Sequence, residues 1–196
     1  DGAVAKANYE AVRQRYLGYR AMQSRLFAEQ TGNNTIDFHP DVKSAMSDPL
    51  IKQQVSTQQQ LIQARRAALA ADLQGIEESI QGLKEQLGSY QNVLVQRRSQ
   101  LALLTEELTN TSGMVKEGYA PRNRQLELER MVAESNASIA DLTGNSMRVS
   151  RQVAELTQRS MARKQEYRKE IESQLAEVTR EVQSDAEKYV AVTADL

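Results

Sequence analysis

Proline occurs only at Pro40, Pro49 and Pro121 in this chain of 196 residues. Two long stretches, one on each side of Pro121, therefore hold nothing that removes a backbone donor or clashes with the preceding helical turn. Each stretch can form a single helix. What those helices pack against is set by the spacing of their apolar residues.

After Pro49 apolar residues recur along two heptad rows. One holds Ile62, Leu69, Ile76, Leu83, Tyr90 and Leu104, interrupted by Arg97; the other holds Leu73, Ile80, Leu87, Leu94, Leu101 and Leu108. After Pro121 the rows are Leu128, Leu142, Val149 and Leu156, and Val132, Ile139, Val153 and Tyr167. From Ile171 they continue through Leu175, Val178, Val182, Tyr189 and Val192, displaced by one position. A four-residue stutter has that effect and locally unwinds a supercoil. A stripe this narrow serves one or two partner helices and no broad core. Composition agrees, with no Trp, no Cys, 5% aromatics and an abundance of Gln, Glu, Arg, Leu, Ala and Ser.

Asp48 before Pro49 joins an N-cap side chain to a residue suited to the first helical position, so a second helix is expected over residues 48–112. Thr111, Ser112 and Gly113 are expected to end it, with Gly113 in the left-handed position. Residues 113–120 form a tip turn, and a third helix runs over 121–194, opened by Pro121. At about 1.5 Å per residue these helices are roughly 95 and 110 Å long, close enough to pair antiparallel. A first helix over 3–30 spaces Val4, Tyr9, Val12, Tyr16, Tyr19, Met22, Leu26 and Phe27 near helical period. Its tyrosines are expected to pack it onto the other two. Residues 31–47, with Gly32, Asn33, Asn34, Asp37 and Pro40, read as a linker without periodicity. If the first helix runs parallel to the second, the linker must return about 40 Å and can reach roughly 50 Å when extended. The expected fold is all-α, a single domain over 1–196: a long antiparallel coiled-coil hairpin with a shorter N-terminal helix packed at its base. Gly75, Gly82 and Gly88 lie off the seams, either admitting a close neighbour or sitting on the surface.

Charge excludes several functions. Lys and Arg number 25 and Asp and Glu 26, interleaved, for a net charge of −1. That is a solvated helix face and no nucleic-acid groove, where one sign clusters. His39, the only histidine, lies in the linker and reads as a linker residue; with one histidine and no Cys, one chain builds neither a zinc site with two imidazoles nor a disulfide. Glu77 and Glu78, or Glu106 and Glu107, are adjacent on a helix and point apart, which suits a charged face better than an acid/base pair. Gly113 and Gly118 lack the context of a phosphate loop. No cofactor or metal is expected, and no apolar run of about 18 residues spans a bilayer.

What remains is the tip. A hairpin end buries little against its own chain, so apolar residues there point to docking. The candidate surface is Asn110, Met114, Val115, Lys116, Glu117, Gly118, Tyr119, Ala120, Pro121 and Arg122. Val115 and Tyr119 also suit an apolar staple closing the turn, and the two roles are compatible.

Three segments carry a family resemblance. The opening Asp1-Gly2-Ala3-Val4-Ala5-Lys6-Ala7-Asn8-Tyr9-Glu10-Ala11 resembles a helix leaving the first half of a lipoyl domain, and Tyr189 to Leu196 resembles the return into its second half. Between them, Lys116 to Pro121 followed by Leu126-Glu127-Leu128-Glu129-Arg130 is similar to a hairpin tip and descending helix. The chain thus resembles the periplasmic adaptors, or membrane fusion proteins, of type I secretion systems: the haemolysin secretion protein D family, in its protease and lipase exporter branch.

The resemblance implies a periplasmic, non-enzymatic protein transport function. The hairpin would bridge an inner-membrane ABC transporter and a TolC-like outer-membrane channel that meets the tip. It also implies a homo-oligomer, a hexamer by family, and a fragment of a larger adaptor. Lipoyl, β-barrel and inner-membrane anchoring segments would lie outside these residues and make the only membrane contact. Family members often carry Arg, a Leu four later and a Thr or Ser seven beyond; Asn110, Met114 and Pro121 stand in those places. Arg124, Leu128 and Ser135 repeat the spacing past the turn, by coincidence on this reading. Adaptors of drug or macrolide efflux pumps are the alternative within the class, though they usually lack the first helix and long linker. A free-standing coiled-coil scaffold, dimerising through its seams, is the alternative outside it.

Overall fold

A computed structural model describes all residues, Asp1–Leu196, and contains helices and turns without a strand. The elements are α1 (Gly2–Thr31), α2 (Pro40–Lys43), α3 (Pro49–Lys116) and α4 (Arg122–Ala194). They divide into two compact units, one of residues 1–73 and 161–196 and the other of 74–160.

Local chemistry explains the boundaries. The Asp1 carboxylate accepts from the Ala3 N–H at 3.2 Å and opens α1. Gly32, at φ 75°, closes it, with the Asn33 N–H reaching the Ala28 carbonyl at 3.0 Å. Asp48 caps α3 as its sequence position predicts, accepting the Leu50 N–H at 3.0 Å. Two expectations are corrected. The linker is not all loop: His39 Nδ1 accepts the Asp41 N–H at 3.0 Å and Pro40 supplies a preset φ, so a one-turn helix, α2, forms there. Nor does Gly113 end α3, which continues to Lys116 with Gly113 inside it. An interior Gly costs only about 1 kcal/mol against Ala, and Gly118 further on supplies the left-handed residue at φ 85°.

In the first unit α1 lies beside the start of α3 and the end of α4. Arg13 meets Asp48 at 2.8 Å, Arg25 meets Gln58 at 2.6 Å and Arg65 meets Glu29 at 2.8 Å, so α1 and α3 ascend together and run parallel. Arg15 meets Asp185 at 3.0 Å and Tyr167 meets Glu29 at 2.7 Å, so α4 runs against them. The core gathers Tyr16, Leu17, Leu26, Phe38, Val42, Ile51, Val55, Ile171, Leu175, Val178 and Val182. Phe38 and Val42 come from the linker, which therefore fills the core as it returns. Tyr16 stacks on Tyr189 at 5.0 Å between ring centroids and Tyr9 lies 6.0 Å from the same ring, which fastens α1 to α4. Burial at Ile171, Leu175, Val178 and Val182 follows the displaced rows beyond the stutter.

A polar cluster crosses this core. The Glu29 carboxylate, fully buried, accepts from Arg25 one turn earlier on α1, from Arg65 of α3 and from the Tyr167 hydroxyl of α4. Arg65 also reaches Glu170 at 2.9 Å, and Arg66 donates to the Ala28 carbonyl at 3.2 Å. Burial pushes the Arg25 pKa down while Glu29 opposes that shift. Burial, reinforced by the bond to Glu29, pushes the Tyr167 hydroxyl up to about 12.

In the second unit α3 and α4 pair antiparallel through the seams. Ile80, Leu94, Leu128 and Val149 are buried and the other seam residues are half-buried. Arg124 clasps Glu107 at 2.7 Å near the turn. Exposed Arg97 lines a small cavity with Leu104, Met131 and Ser135, so a large cation on one seam faces a small residue on the other. A Cβ at Gly75, Gly82 or Gly88 would meet nothing within 4 Å, so in this chain they are surface positions.

Glu29→Ala strands Arg25 in the core and is expected to cost about 3 kcal/mol in chemical denaturation. Glu134→Ala, which removes an exposed partner of Arg130, should cost no more than about 0.5 kcal/mol. Tyr167 holds its proton more tightly folded than unfolded, where its pKa is about 10. Its stabilising contribution is therefore complete below about pH 10 and lost as pH rises towards about 12. Alkaline melting curves should show that fall, and Tyr167→Phe should flatten it. Glu107→Cys with Arg124→Cys, in a chain without native cysteine, should be bridged within one molecule by a short bifunctional thiol reagent; gel migration as a dimer would contradict the intrachain pairing.

Candidate functional site

The site is the turn between α3 and α4. The Tyr119 N–H donates to the Met114 carbonyl at 2.8 Å and the Gly118 N–H to the Val115 carbonyl at 3.1 Å, the paired bonds of a Schellman motif. Gly118 is the left-handed residue that permits them. Pro121 follows, its carbonyl accepting the Arg124 N–H at 3.2 Å as α4 begins at Arg122. The turn is thus held by its backbone, and its side chains are free to face outward.

The ten candidate residues fall together here. Asn110 and Met114 lie in the last turns of α3, and Lys116 ends it; Glu117, Gly118, Tyr119, Ala120 and Pro121 make the connection. Val115 and Ala120 are half-buried, whereas Tyr119 is 77% and Met114 48% exposed. Of the two residues suited to a staple, Val115 turns in and Tyr119 turns out. Arg124, Leu128 and Ser135 belong elsewhere: Arg124 is engaged with Glu107 and Glu127, and Leu128 is wholly buried in the seam.

Of the other candidate groups, Glu77, Glu78, Glu107 and His39 have structural partners and Glu106 is exposed on the α3 surface. Glu77 accepts from Gln81 at 2.9 Å and Glu78 from Gln74 at 3.2 Å, each reaching along its own exposed face in opposite directions. His39 caps α2, and its backbone N–H donates to Ser24 Oγ at 3.0 Å. No three His, Asp or Glu side chains gather as metal ligands would. No helix is long and apolar enough to cross a membrane.

Sequence reading missed Glu29 and Asp185. Asp185 sits in the displaced α4 row between Val182 and Tyr189, is 1% exposed, and binds Arg15. The available signal for Glu29 was Arg25 four residues before it, on the face that carries Met22 and Leu26.

Residues 5–195 match the family model described as "AprE, long alpha-helical hairpin". The chain is 35% identical over 173 residues to the alkaline protease secretion protein AprE of Pseudomonas aeruginosa, covering 88% of this chain and 40% of that protein. It is 30% identical over 174 residues to the proteases secretion protein PrtE of Dickeya chrysanthemi, covering 89% and 39% respectively. It therefore spans about two-fifths of the length of these curated relatives. Among solved structures, the soluble domain of LipC, a membrane fusion protein of a type I secretion system, superimposes with a TM-score of 0.93. That match has 30% identity and covers 97% of this chain and 90% of the LipC chain. With the seams, the three-helix unit and the turn all in place, this all-α chain belongs to the AprE long helical hairpin family.

Proposed function

We propose that this chain is the periplasmic hairpin of an adaptor that joins an inner-membrane ABC transporter to a TolC-like outer-membrane channel for one-step protein secretion. On this reading α3 and α4 are the spacer and the turn at residues 114–122, with Asn110, is the docking point. Helices of 68 and 73 residues, roughly 100 Å at 1.5 Å per residue, suit that task. The observation that carries the proposal is the match, over nearly the whole chain, to a domain of a protein described as a type I secretion membrane fusion protein. Both curated relatives are named for protease secretion.

In this proposal the protein is an assembly component and no enzyme, working as several copies, six by family resemblance, without a cofactor. It is held at the inner membrane through segments outside these residues. The first helix and linker favour the secretion branch over the efflux adaptors, because Tyr16, Leu26, Phe38 and Val42 are integral to the core. A scaffold dimerising through its seams is disfavoured because ion pairs and burial place those seams within one chain.

In cells lacking their own adaptor, full-length protein carrying Met114→Ala, Lys116→Ala and Tyr119→Ala should lower export of the system's substrate by about tenfold or more. Its abundance and helicity should be unchanged, since these residues are exposed. Undiminished export by that variant would remove the docking role from the turn.

A further inference from the structure

We infer that the tip fits a charge-zoned recess in its protein partner, with an apolar, acidic floor and a basic rim. The inference rests on the docking role proposed above and specifies its chemistry.

The first observation is an unmade contact. In a Schellman motif the residue after the left-handed glycine commonly packs on the residue that accepts its N–H. Here those residues are Tyr119 and Met114, and with 77% and 48% exposure they bury little of each other. The equivalent place after α1 is polar, Asn33, where no apolar contact is owed. Tyr119 is the most exposed aromatic of the chain, while Tyr16 and Phe38 are buried and Phe27 is 48% exposed. A rigid turn thus presents an aromatic ring and a flexible thioether outward, the pair that anchors an interface in an apolar pocket.

The second observation is the arrangement of charge around that pair. Lys116 and Arg122 are exposed and form no ion pair, and Glu117 is the one acid between them, so the end of the turn carries a net positive charge. The C-terminus of α3 and the N-terminus of α4 meet there, so their opposed dipoles offset and the side chains set the sign. Behind the turn the sign reverses. The charged residues of these flanking turns are Glu106, Glu107, Glu127 and Glu129 against Arg124 and Arg130. Arg124 is occupied by Glu107 at 2.7 Å and Glu127 at 3.3 Å, and Arg130 by Glu134 at 3.0 Å. A cationic, apolar point within an acidic collar complements carboxylates deep in a recess and Lys or Arg around its mouth. An anionic bilayer would attract the point and repel the collar, so a protein recess is the better match.

The test uses the outer-membrane channel of the same secretion system, purified in detergent and immobilised, with this chain in solution. Lys116→Glu with Arg122→Glu should weaken binding about tenfold at low salt, and Glu106→Lys with Glu129→Lys should do likewise. Both effects should shrink as salt is raised. Tyr119→Ala should cost about tenfold while Tyr119→Phe stays within about twofold. If the triple alanine variant loses binding but both charge reversals bind normally, the zoned recess is wrong and docking at the tip stands. Failure of the unaltered chain to bind, or normal binding by the triple variant, overturns both. Binding to phosphatidylglycerol vesicles in preference to the channel overturns the protein recess.

Discussion

Two apolar residues per heptad supply the buried contact between α3 and α4, with a few ion pairs such as Arg124 to Glu107 and Arg163 to Asp72 along its edges. In the second unit Ile80, Leu94, Leu128 and Val149 are the buried members of these seams, and most of the remaining surface of both helices faces water. Each turn therefore adds only a small increment of buried area, and stability accrues along the length of the pairing rather than at one centre. That constraint explains why the outer faces are crowded with Glu, Gln, Arg and Lys making bonds along their own helix, such as Gln81 to Glu77 and Arg130 to Glu134. It also explains how Arg97 is tolerated: one cation on a seam opens to solvent opposite Ser135, and the neighbouring layers close around it.

The three-helix unit solves a different problem. A third helix with a simple apolar stripe could slide or reverse against a two-helix edge, because apolar contacts carry little direction. Glu29 removes that freedom. Its carboxylate has donors from α1, α3 and α4 within bonding distance, and a shift of one turn would leave a buried charge without partners. Asp185, taking Arg15, makes a second such fastening nearer the start of α1. Arg13 and Gln14, bonded to the carboxylate that caps α3, make a third. Burying these charges adds little net stability, but it selects one direction and one register for α1.

The turn inverts the usual economy of a helix end. Its backbone bonds are satisfied internally by the two Schellman contacts, and Val115 and Ala120 are the half-buried apolar residues that close the end. Nothing in the fold requires Tyr119 to be aromatic, since its ring packs on so little. A residue whose side chain is unnecessary for folding and costly to leave in water is available for contact with another surface. The same logic separates the tip from the equally spaced Arg124, Leu128 and Ser135, because Leu128 is spent entirely on the seam.

Sequence alone determined much here. Prolines and heptad rows place two long helices, the displacement after Tyr167 marks the stutter, and Asp48 before Pro49 marks the start of α3. These are legible because they depend on neighbours three, four and seven residues away. The end of α3 was misplaced because Gly113 and Gly118 are chemically identical in sequence, and only the turn geometry decides which adopts positive φ. The one-turn helix α2, the core positions of Phe38 and Val42, and the clustering of Arg25, Glu29, Arg65 and Tyr167 were decided by tertiary structure. Their partners lie up to 138 residues away in the chain, and a buried charge is intelligible only once the groups that compensate it have been brought together.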